Sequence, residues 1–220
     1  MKGKLRYLTI SFILLLVLYP FLEGGISGLI ILITLISAIC FFGVYAVSYN
    51  RKNLIIALTF GLPYVVLNWI GLLRLIPSIP ELILVFFINI FTMLFYAFTA
   101  IVILSFVLKA AKVNEDVLFG AVSIYMLIGG AWSAIYTTIE LLKPGSFIID
   151  AVNNIDGILN WSDFIYFSFE TLTTLGYGDI IPVTSVARSF AVTEAIIGVM
   201  YLAIIISRLV GMYISQSKEQ

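Results

Sequence analysis

The 220-residue sequence has no histidine, one cysteine and only 11% charged residues. Each shortage excludes a kind of chemistry. Without histidine there is no imidazole base and no histidine-ligated metal. Cys40 lies in an apolar run, cannot form an intrachain disulfide, and reads as a small packed hydrophobe. Its 12 basic groups balance 12 acidic ones, and zero net charge argues against nucleic acid as a partner. Apolar surface is what the chain has in excess. Hydrophobic residues make up 62%, where soluble proteins hold roughly 45–50%. A soluble fold of this length cannot bury that much, so the lipid bilayer must serve as solvent for part of it.

Charges and prolines divide the apolar runs. The expected architecture is all-α and transmembrane, with spans near Leu5–Leu22, Ile26–Tyr49, Asn53–Leu73, Glu81–Leu108, Asp116–Leu142 and Val186–Ile214. Pro63 predicts a kink in the third span. Asn114, followed by Glu115 and Asp116, reads as a cap with an acidic first turn. Residues 146–160 are mixed in character and read as an exposed loop. The next apolar segment, Trp161–Thr173, is too short to cross a bilayer and predicts a re-entrant helix. No cleavage site follows the first run, so it is expected to stay as a span. Only Ser215–Gln220 follow the last run, so no soluble ligand-binding domain is expected.

Basic residues set the expected orientation. With the N-terminus inside, Lys2, Lys4, Arg6, Arg51, Lys52, Lys109, Lys112 and Lys218 are cytoplasmic, and Arg74, Lys143 and Arg188 lie outside. Both termini are then cytoplasmic, in a multi-pass protein of the cell membrane. The outer loops carry Glu23, Glu140, Asp150, Asp156, Asp163 and Asp179. These are either solvated loop charges or an acidic vestibule that concentrates cations.

The segment Thr171-Leu172-Thr173-Thr174-Leu175-Gly176-Tyr177-Gly178-Asp179 follows the re-entrant helix and precedes the last span. It resembles the filter signature of potassium channels, Thr-x-Gly-Tyr-Gly-Asp, with Leu175 where valine or isoleucine is usual. The layout resembles the voltage-gated-like superfamily, the pore likeness covering roughly Asp116–Ile214. The resemblance implies a four-span N-terminal membrane domain (1–112), a pore domain (113–220), K+ as the permeant ion, and a homotetramer. One loop cannot surround an ion, whereas four filters around one axis can.

The chemistry agrees with the motif. A dehydrated potassium ion needs oxygen ligands in place of water. Successive carbonyls point to one side only if the backbone alternates between right- and left-handed conformations, which Gly176 and Gly178 tolerate. Thr174, Leu175, Gly176, Tyr177 and Gly178 form the expected ion path, the K+ ligands lying at Thr174–Tyr177. Thr174 adds a hydroxyl at the inner end, and Tyr177 points away and braces the strand. The preceding helix aims its negative C-terminal end at the cavity.

The resemblance also implies supporting residues. Glu170 and Asp179 match carboxylates that interact behind the filter in some bacterial channels, where the two could share a proton. A carboxylate bonded to backbone amides is the alternative for Glu170. Tyr166 stands where those channels place an aromatic donor to the aspartate, and Phe167 replaces a second Trp or Tyr. Arg188 matches a basic residue at the top of the last span, or else snorkels to the interface. Gly198 holds the gating-hinge position, or serves close helix packing. Val199, Leu202, Ile206 and Val210 match cavity-lining positions, or pack as core. Glu194, inside the last span, is expected to bond to the re-entrant helix. Arg208 is expected either to pair with Glu115 or Asp116 or to snorkel.

No basic residue occurs between Leu82 and Leu108, so the fourth span lacks the charges of a voltage sensor. The function expected is passive, largely voltage-independent K+ conduction, with no enzymatic activity. The alternatives are a non-selective cation channel, a non-conducting regulatory subunit and, remotely, a GxGD-type intramembrane protease. That protease needs two facing aspartates, and the first four spans contain none.

Overall fold

The computed structural model describes residues 3–22, 25–73, 79–149 and 159–218. Among the described residues, six helices are long and apolar enough to cross a membrane. They are α1 (Lys4–Leu22), α2 (Ile26–Val47), α3 (Arg51–Leu73), α4 (Glu81–Lys109), α5 (Glu115–Leu142) and α7 (Ser185–Lys218). The short α6 (Trp161–Leu172) lies between α5 and α7. Glu23, Arg74, Asp150 and Asp156, assigned above to the outer side, lie outside the described residues, as does Lys2.

Local chemistry sets the helix ends. The Asn114 side chain accepts from the Val117 amide and caps α5. A capping box starts α6: Asn160 accepts from the Ser162 amide, and Asp163 accepts from the Asn160 amide. Lys143-Pro144-Gly145 stops α5, with Gly145 at φ +82°. The expected loop at 146–160 is corrected in its first part. Phe147–Ile149 form a strand, β1, antiparallel to β2 (Ile180–Pro182) just beyond the filter segment. Glu140 holds the turn before β1, its two carboxylate oxygens accepting from the Gly145 and Phe147 amides.

The main core lies where α1 and α4 pack on α5, with Leu5, Leu8, Phe95, Ile103, Ile124 and Leu127 fully buried. Two adjacent glycines make this packing close. A Cβ at Gly129 would stand 2.7 Å from the Phe169 ring of α6, and one at Gly130 would stand 2.6 Å from the Tyr96 ring of α4. Thr9 and Ser123 share a 2.8 Å hydroxyl contact that ties α1 to α5. Cys40 is buried, its thiol directed at the Gly61 carbonyl between α2 and α3.

Polar contacts gather several chain segments at one end of the bundle. The Gly3 amide donates to Asp116, and the Val113 amide donates to Gln216. Lys4 reaches the Tyr45 carbonyl at the end of α2. Arg208 pairs with neither Glu115 nor Asp116; it donates to the carbonyls of Leu108 and Ala110 at the end of α4. The start of α1 and the far end of α7 therefore lie on the same side, where most of the described basic residues also lie.

Candidate functional site: a filter loop and its buttress

The filter segment leaves α6 through Thr173, whose amide donates to the Phe169 carbonyl. The Thr174 amide then bonds the Thr171 carbonyl, and the Leu175 amide bonds that of Glu170. Beyond this point the backbone alternates. Thr174, Gly176 and Gly178 have φ of +58°, +66° and +81°, and no other described residue besides glycine has positive φ. A non-glycine residue held there costs on the order of 1–3 kcal/mol, so the surrounding structure must enforce it. Alternation over 174–178 is the pattern that turns successive carbonyls toward one side. Leu175 is 56% and Tyr177 70% exposed on the single chain. Bracing by Tyr177 is thus not supplied by other residues of the same chain.

Behind the loop is a carboxylate pair. Glu170 is buried, and its Oε1 accepts from the Gly178 amide at 3.3 Å. Its Oε2 is buried without a hydrogen-bond partner. Burial is the main reason that Glu170 sits above the ordinary carboxylate range; the backbone amides of Tyr177 and Gly178 oppose this, and Asp179 adds to it. Tyr166 lies close enough to Asp179 for their side chains to interact. The structure thus brings Tyr166, Glu170 and Asp179 together. Arg188 stands apart from them, its Nε donating to the Pro182 carbonyl of β2.

A second buttress joins Glu194 to two residues that sequence reasoning did not single out, Ser168 and Tyr136. Glu194 of α7 is fully buried. It accepts from the Ser168 hydroxyl of α6 at 2.6 Å and from the Tyr136 hydroxyl of α5 at 2.5 Å. Ser168 also lies 2.8 Å from the Gly129 carbonyl. The expected bond from Glu194 to the re-entrant helix is present, and α5 joins it. Tyr136 also stacks edge-on with Phe147 and Phe167, whose rings, with Phe164, fill a small core behind the filter. Phe167 therefore belongs to this core. A tyrosine spaced for burial on α5 was the available signal, but its partner could not be read from α5 alone.

Gly198 faces the end of α6. A Cβ there would stand 2.2 Å from the Leu172 carbonyl oxygen, so the close approach itself requires glycine. Val199, Leu202, Ile206 and Val210 are exposed on α7 and are not part of this chain's core.

Comparison with known proteins bears on the same region. Residues 117–215, from α5 to the far part of α7, match the family described as "Ion channel". The chain is 44% identical over 46 residues to the voltage-gated potassium channel Kch of Escherichia coli, a stretch covering 21% of this chain and 11% of that protein. It is 32% identical over 74 residues to the inward rectifier potassium channel Kirbac3.1 of Paramagnetospirillum magnetotacticum, covering 34% and 20%. Residues 117–215 therefore resemble ion channels, and both relatives named so far are potassium channels. The chain is also 32% identical over 93 residues to Protein LctB of Bacillus caldotenax, covering 42% of this chain and 61% of that protein. All three matches span less than two thirds of the relative's length. No solved structure matches at the same stringency. The family match spans α5, α6, the loop after α6 and most of α7. Six long apolar helices among the described residues make the chain a multi-pass membrane protein. The family match covers the loop after α6 and leaves α1–α4 unmatched.

Proposed function

We propose that four copies of this chain form a potassium-selective pore that conducts K+ passively. The observation that carries this reading is the left-handed backbone at Thr174, Gly176 and Gly178, immediately after a re-entrant helix. With carbonyls from Thr174, Leu175, Gly176 and Tyr177 replacing water around the ion, four loops supply the ring that one cannot. Gly178 completes the path. The exposure of Leu175, Tyr177 and the outer face of α7 on the single chain supports assembly about that axis. In the tetramer Val199, Leu202, Ile206 and Val210 line the inner cavity, where an apolar wall leaves the ion hydrated.

Glu170, Asp179 and Tyr166 hold the filter from behind, the carboxyl pair sharing a proton. Arg188 steadies β2 at the filter exit. Gly198 supports α7 bending as well as the close approach to α6. Residues 1–112 brace the pore through the contacts of α1 and α4 with α5, and residues 113–220 conduct. The basic end faces the cytoplasm and the filter end faces outward, in the cell membrane. Opening is largely independent of voltage, because α4 carries no charge between Glu81 and Lys109.

Purified protein in vesicles tests the reading through cation flux. The proposal expects K+ uptake, little Na+ uptake, and a tetramer by mass in mild detergent. A monomer, or equal uptake of both ions, contradicts it.

A further inference from the structure

Away from the filter, a cavity of about 220 Å³ lies where α1–α4 meet α5 and α6. Its walls are mostly apolar, among them Leu15 and Leu32. One part is polar, formed by Tyr64, Asn68, Asn89 and Thr92. Asn68 and Asn89 use their amide N–H groups on the carbonyls one turn earlier, at Tyr64 and Val85. An amide side chain so fixed keeps a carbonyl oxygen as an acceptor. No Asp, Glu, Lys or Arg lines the cavity. A charged headgroup therefore has no counter-ion there, whereas an uncharged hydroxyl has acceptors and donors to meet. Trp161, Ile165 and Phe169 of α6 form the wall nearest the pore.

We infer that this cavity binds a small uncharged amphiphile that enters from the bilayer, with an aliphatic chain and a hydroxyl head. Size supports the class. An engineered apolar cavity of about 150 Å³ accepts benzene, so this one has room for about nine heavy atoms, the size of a medium-chain alcohol. Dispersion and chain burial hold the tail, and the Asn68–Asn89–Thr92 side holds the head. Occupancy acts on the pore through Phe169. Its ring fits against Gly129 with no room to spare, and the next residue is Glu170 behind the filter. A chain packed against Phe169 thus biases the filter support.

The test uses the full chain in lipid vesicles, with Trp69→Phe and Trp132→Phe leaving Trp161 as the only indole of the three. The probe is 7-bromoheptanol, whose bromine quenches indole fluorescence on contact. A saturable loss of Trp161 emission is expected on top of the linear quenching from lipid. Adding Ser133→Leu, which fills the cavity from α5, should abolish the saturable part. Asn89→Leu, with the same branched outline and number of heavy atoms, should weaken it about fivefold through one lost hydrogen bond. It keeps the test decisive where Ser133→Leu fails to fold. 1-Bromoheptane, lacking the head, should bind more weakly by a similar factor. Quenching that is linear throughout, or unchanged by both variants, overturns the site. Equal saturable binding of 1-bromoheptane overturns the assigned head. Fluorescence reads binding whether or not the chain conducts, so failure of this inference is distinguishable from failure of the pore proposal.

Discussion

The Tyr136 hydroxyl donates a 2.5 Å hydrogen bond to the Glu194 carboxylate, and Ser168 occupies the other oxygen of that group. One buried carboxylate therefore joins α5, α6 and α7, and α6 directly precedes the filter. Removing it leaves the buried Tyr136 hydroxyl without an acceptor, at about 1–3 kcal/mol, while Ser168 keeps the Gly129 carbonyl. Glu194→Ala should lower the unfolding midpoint strongly. Glu194→Gln retains the shape and one carbonyl acceptor, and a hydroxyl can rotate to accept from its amide. It should lose much less. Thermal melts of the two variants in detergent check the order, and equal losses would show that the hydrogen bonds matter little.

Gly198→Ala tests packing against hinge. The added methyl meets the Leu172 carbonyl at 2.2 Å, so backbone must move two residues before Thr174. Overpacking of this kind costs roughly 1–3 kcal/mol. A lower unfolding midpoint together with reduced flux is expected. A change in gating with no change in the midpoint would assign Gly198 to the hinge alone.

Glu170→Ala and Asp179→Asn should alter how long the filter stays conductive more than they alter selectivity. Both side chains stand behind the loop, outside the proposed ion-lining run. Long single-channel recordings measure this, and wild-type behaviour in both variants would contradict the shared proton.

Stability should carry a pH signature of Glu170. Its value is raised, chiefly by burial, so the folded state holds its proton more tightly than the unfolded chain does. That contribution is full below the ordinary carboxylate pKa and is lost as pH rises through the raised one. Melts at stepped pH should show wild type losing stability across that interval relative to Glu170→Gln. Parallel curves would mean that Glu170 titrates alike in both states.

How much of this was legible in the sequence depends on range. Apolar runs and their punctuation placed all six long helices to within a few residues, because lipid demands long uninterrupted spans. Asn114 and the filter glycines were readable because caps and left-handed turns require particular residues locally. β1 was not readable: three residues, Phe147–Ile149, have no measurable periodicity. The partners of Glu194 and Arg208 were only partly readable. Tyr136 and Glu194 are 58 residues apart, and which faces of α5 and α7 meet is settled by packing. The pairing of Arg208 with backbone carbonyls, in place of Glu115 or Asp116, likewise follows from where α4 ends.

Voltage should change open probability only gently. Steep gating couples several charges per subunit to the field, at about 2.3 kcal/mol per charge per 100 mV. Between Glu81 and Lys109, α4 holds none. A conductance–voltage curve as steep as several elementary charges would require a sensor elsewhere in α1–α3.

The central claim is a filter that passes K+ and rejects Na+ through the loop Thr174–Gly178. The reversal potential of reconstituted protein under opposed K+ and Na+ gradients tests it most directly. The account expects a value close to the potassium equilibrium potential. A value midway between the potassium and sodium equilibrium potentials would contradict it.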